Sequence, residues 1–183
     1  MNQPPRSFSD LETLIRLFYH EPDDCGLFDE VVADDVPQPQ RSLLAHDHHM
    51  TVTVEAHHRC AVDVEVIATS SSETHYARKI LLRRQDDGRV VQYGIMRVDL
   101  NYLEQHVQEE ILNQQTPLGR ILIQNDVLRQ VQLMTLWHIQ PGEELTELLS
   151  VAEGDAVYGR TALIYCNGEP AIELLEVVTP GRG

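Results

Sequence analysis

With 183 residues, the chain is long enough for one compact domain whose core needs no disulfide or metal staple. Its 29 acidic residues against 14 basic ones leave a formal net charge of -15, which argues against nucleic acid or an anionic membrane surface as partner and favours a small molecule. Lys79 is the only lysine, so an anion site would rest on the arginine fork. Cys25, Cys60 and Cys166 are odd in number and lack metal or redox spacing, which reads as a reducing cytoplasm. No run approaches the ~18 apolar residues of a membrane span, and the N-terminus lacks an export pattern.

A first helix is predicted from the capping box Ser9-Asp10-Leu11-Glu12, with Leu11, Leu14, Ile15 and Phe18 at helical spacing, ending near Glu21-Pro22. The acidic stretch to Gln40 reads as an irregular connection, so residues 1–42 belong to the same domain as the main body at 43–183. Residues 51–56 and 60–67 alternate as a half-buried hairpin with His57 and His58 in its turn. A third strand spans 75–84, and Asp86-Asp87-Gly88 returns a fourth over 89–98. The period then changes. Leu100, Leu103, Val107 and Ile111 mark a helix, and Thr116-Pro117 opens a shorter one. A long fifth strand covers 127–139, a helical turn follows Pro141-Gly142, and a hairpin around Asn167-Gly168 closes the chain. These elements predict a single α+β domain with helices packed against an antiparallel sheet.

Three constellations stand out. His46, His48, His49, His57 and His58 crowd around Asp47 and Glu55, yet their spacing fits no recognisable zinc pattern. A polar loop, with His46 or His49 lining a ligand cavity, is the better reading; no metal and no cofactor are expected. On the third strand Tyr76, Arg78, Ile80 and Leu82 share one face, and an inward Arg78 needs either an acidic side chain or an anionic ligand. On the last strand, period-two alternation puts Ile172, Leu174, Glu176 and Val178 on one face and Ala171, Glu173, Leu175 and Val177 on the other. Both faces are mostly apolar, so a carboxylate there must be paired, solvated or functional.

Tyr76-Ala77-Arg78-Lys79-Ile80-Leu81-Leu82, Thr116-Pro117-Leu118-Gly119-Arg120, and Tyr158-Gly159-Arg160 through Gly168-Glu169-Pro170 to Pro180 resemble, in this order, the chorismate lyase family. Asp47-His48-His49-Met50-Thr51 resembles the flap of the divergent branch that includes the mycobacterial 4-hydroxybenzoate-forming enzyme. The resemblance covers about residues 43–180 and implies a chorismate lyase-like fold. It also implies conversion of chorismate to 4-hydroxybenzoate and pyruvate, without a cofactor. It places the ring carboxylate on Arg78, pocket walls at Leu118 and Met50, and the ring hydroxyl at Glu176. Counted forward from Gly168-Glu169-Pro170 the family glutamate falls on Leu175, and counted back from Pro180 on Glu176. A one-residue bulge reconciles the two counts, and Glu173 stays in reserve.

As a mechanism, Arg78 anchors the substrate while Glu176, kept protonated by an apolar face, acts as donor. Arg120 or Arg160 would meet the second carboxylate. The alternative is a binding or sensing domain of the same fold that takes an aromatic carboxylate without catalysis. The family's sensing domains follow a DNA-binding domain. Only about forty residues precede the resembling part of this chain, which favours the enzyme.

Overall fold

The computed structural model describes residues 11–180. Seven antiparallel strands form one sheet: β1 (Gly26–Val31), β2 (Val62–Ser71), β3 (His75–Arg84), β4 (Val90–Asp99), β5 (Arg129–Pro141), β6 (Val157–Cys166) and β7 (Glu169–Val178). Their order across the sheet is β1-β5-β6-β7-β4-β3-β2, which puts β7, from the end of the chain, at the centre. The domain is α+β, as the element pattern predicts.

Helices cover both faces because the inner strands are apolar on both. One layer contains α1 (Leu11–Ile15), α2 (Pro22–Cys25) and α7 (Glu143–Leu149), and buries Leu14, Ile15, Tyr93, Ile95, Leu149 and Leu175 against the sheet. The other contains α3 (Gln40–Leu44), α4 (Met50–His58), α5 (Gln105–Leu112) and α6 (Leu118–Gln124). There Val107, Ile111 and Ile121 cover one half of the sheet, and Leu44, Met50 and Val54 cover the other.

Two predicted elements need correction. Residues 51–56 are not a strand but the body of α4, and His57 and His58 lie at its end rather than in a hairpin turn. The alternating Thr51-Val52-Thr53-Val54 looks like a strand locally, yet Met50 and Val54, four apart, are both buried as one helical face. The missing strand comes from the acidic connection, where Gly26–Val31 adds to the free edge of β5, from Gly26 opposite Pro141 to Val31 opposite Leu136. A six-residue edge strand with exposed Asp29 and Glu30 has too little alternation to show in sequence. The predicted capping box lies partly outside the described residues. Among those residues, no helix is long and apolar enough to cross a membrane.

The β6–β7 ladder contains a one-residue register shift: Ile164 pairs with Ile172 but Tyr165 with Pro170, leaving Ala171 inserted. Ala171 and Ile172 therefore pack into the same core cluster, which corrects the strict alternation read for Ala171.

Candidate functional site

The β3, β4, β7 and β6 residues that share one sheet face line a cavity roofed by the starts of α4 and α6. The volume it leaves to a water-sized sphere is about 50 Å³, a small and closely walled space. The register orders its floor. Met96 on β4 lies between Arg78 on β3 and Leu174 on β7, and two residues along Gly94 lies between Ile80 and Glu176. Two further along, Gln92 lies between Leu82 and Val178. A Cβ on Gly94 would meet the Leu175 carbonyl oxygen at 3.3 Å and Ile80 Cδ1 at 3.4 Å, so a side chain there would crowd the floor. Gly119 serves the roof: its Cβ would sit 3.1 Å from Thr51 Oγ1, and its absence lets α6 close on the start of α4.

Arg78 is 1% exposed, and among the described residues no carboxylate lies within ion-pair distance of it. Its Nη1 and Nη2 reach the carbonyl oxygens of Ile111 and Thr116, at 3.5 and 3.4 Å, its Nε has no hydrogen-bond partner, and the Tyr76 hydroxyl on the same strand face interacts with it electrostatically. Those distances are long for hydrogen bonds. Burial pulls its pKa down from the usual value, but a guanidinium stays charged at neutral pH. The site therefore holds a cation whose donors are largely unspent.

Arg160 shows the opposite state. It is 0% exposed, donates through Nε to Glu176 Oε2 at 2.7 Å, and reaches the carbonyl oxygens of His46 at 2.7 Å, His48 at 2.9 Å and Leu44 at 3.3 Å. The pair ties the loop between α3 and α4 to the sheet. Glu176, expected as a lone carboxyl on an apolar face, stands instead in a buried ion pair with Arg160.

Arg78, Arg160, Glu176, Leu118, Met50 and His49 all line the cavity. Arg120 does not; it pairs with Glu55 and reaches the Val62 carbonyl oxygen, tying α6 to α4 and β2. Glu173 points to the opposite sheet face, 3.3 Å from Arg97. His49 Nε2 accepts from Arg129 Nε at 2.8 Å, and burial followed by the charge of Arg129 takes its pKa down to about 4. The ring is neutral at pH 7, so the proton sits on Nδ1. A wider groove outside, with Val52, Ile123 and Leu128, shares His49 and Val131 with the cavity.

Gln92 and Gly94 were missed by the sequence reading. The available signal was their period-two alignment with Met96 and Val98. Among the described residues, no group of three or more His, Cys, Asp or Glu side chains could hold a metal ion.

No protein-family model and no curated protein matches the chain. Solved structures do. The chain is similar to the effector domain of PhnF from Mycobacterium smegmatis, at 11% identity over 74% of this chain and 90% of that one, with a TM-score of 0.53. Against the PhnF chain itself the values are 10%, 72% and 63%, with a TM-score of 0.50, so this chain spans less than two thirds of PhnF. It also matches the C-terminal domain of the histidine utilization repressor from Pseudomonas syringae, at 13% identity over 67% of this chain and 98% of that one, with a TM-score of 0.45. The fold is chorismate lyase-like. The expectation of a lyase acting on chorismate is corrected: the fold matched is that of the PhnF effector domain, and Glu176 is spent on Arg160.

Proposed function

We propose that this chain is an effector domain that binds a small organic anion, a carboxylate with a compact apolar body, and does not transform it. Arg78 carries the reading. A buried guanidinium without an acidic partner is costly in a folded protein, and a ligand carboxylate held through two parallel N–H···O bonds removes that cost on binding. Ile80, Leu82, Leu118, Val131, Ile164 and Leu174 supply the apolar walls. The effector domain of PhnF, with the same fold, supports a binding role over catalysis.

Thermal unfolding in the presence of benzoate, cyclohexanecarboxylate and the neutral benzamide tests the proposal. The two carboxylates should raise the Tm of the wild-type protein and be recovered unchanged, and benzamide should not raise it. In Arg78→Met both shifts should vanish. An equal shift by benzamide, or shifts that persist in Arg78→Met, would place the anchor elsewhere.

A further inference from the structure

Gln92 is 3% exposed and lines the cavity, its Oε1 has no hydrogen-bond partner, and its amide makes no hydrogen bond to any described residue. Buried side-chain amides are ordinarily partnered, because desolvation without a compensating bond is costly. Its surroundings make the exception sharper. Gln92 is flanked by Leu82 and Val178, and Val64 pairs with Leu82 on the next strand, a setting in which leucine or methionine would pack without loss. Two charged groups that line the same cavity are committed, Glu176 to Arg160 and Arg160 also to three carbonyl oxygens.

We infer that Gln92 reads a second, uncharged hydrogen-bonding group at the far end of the ligand from its carboxylate. The inference rests on the reading above that Arg78 seats an anion. Gln92 and Met96, the cross-strand partner of Arg78, are four residues apart on one face of β4, so the two polar points stand roughly 13 Å apart at Cα before the side chains lean together. Gly94 contributes no side chain to the floor between them, which leaves Ile80 as the apolar surface there. The far group is neutral: an amide balances no charge, and the one ion pair between the two points is already self-compensated. The ligand class is therefore a carboxylate with an apolar middle and a distal hydroxyl, carbonyl or amide.

Straight-chain carboxylates of increasing length, each with and without a terminal hydroxyl, test this by calorimetry on the wild-type protein and Gln92→Leu, with Gln92→Met as the substitute if the leucine variant does not fold. At one length the hydroxyl should tighten wild-type binding about tenfold, as expected when a buried polar group gains its partner. In the variant that advantage should fall to about one, while the parent acid binds at least as well as it does to wild type. A hydroxyl advantage of equal size in the variant overturns the assignment, as does its absence at every length when the parent acids bind. If no parent acid binds the wild type, the reading of Arg78 falls, and this inference with it.

Discussion

Arg78 and Lys79 are neighbours on β3, both buried cations, and they point to opposite faces of the sheet. Lys79 is fully provided for: its Nζ lies 2.7 and 2.9 Å from the two carboxylate oxygens of Glu144 on α7, and 4.7 Å from the centroid of the Tyr19 ring. The Tyr19 hydroxyl in turn meets that of Tyr93 at 2.8 Å. Arg78 has long contacts to two carbonyl oxygens and the neighbouring Tyr76 hydroxyl, and among the described residues no carboxylate partner. One face of the strand closes its electrostatics within the fold, while the other leaves a charge without a carboxylate partner among the described residues. Charge at a site of function is held at the expense of stability, and charge in the core is not.

The comparison breaks most severely at the third buried cation. Glu176→Gln should strip Arg160 of its counter-charge and destabilise the protein by about 3 kcal/mol, as removing one member of a buried pair does. Urea unfolding measures this, and a loss under about 1 kcal/mol would mean that the three carbonyl oxygens alone hold Arg160.

The matched pair Arg78→Met and Lys79→Met sharpens the contrast, because the two should differ in sign. Removing the unpaired Arg78 charge should stabilise the fold by about 1–2 kcal/mol and abolish the thermal shift with benzoate. Lys79→Met should cost about 1–2 kcal/mol, since Glu144 is left without its partner but keeps some water, and should leave the benzoate shift intact. If both variants are destabilised alike, Arg78 has a partner within the fold and the distinction between the faces is lost.

The smallest effect is a pH dependence. His49 is held at about 4 in the folded protein, below the ~6.5 of an unfolded chain, by burial and by the charges of Arg129, Arg160 and His48. The unfolded state therefore takes up the proton first, and stability is lost as pH falls from about 6.5 towards 4. The part due to His49 is on the order of 1 kcal/mol, since the ring keeps some solvent. The difference in unfolding free energy between wild type and His49→Asn should shrink across that window, with the carboxylates common to both proteins cancelling. A difference constant with pH would show that the ring does not resist protonation.

Legibility in the sequence followed the range of the interactions. β3, β4, β5 and the closing hairpin were readable because their turns, Asp86-Asp87-Gly88 and Asn167-Gly168, and their alternation are local properties, and the side chains on one face of β3 follow from its period of two. The strand at residues 26–31 and the helix at 50–58 were not, because the first exists only by pairing with an open edge formed by β5, over a hundred residues later. The second overrides a β-branched local pattern in order to bury Met50 and Val54. The inward direction of Arg78 and the presence of a carboxylate on each face of β7 were determined by the sequence itself. Which carboxylate shares the cavity with Arg78, that Arg160 had already taken it, that Arg120 is bound to Glu55, and that Gln92 stands unpartnered were decided by the tertiary structure. Spacing along a strand sets which way a side chain points, but whether its charge or amide is satisfied depends on groups brought beside it from distant parts of the chain.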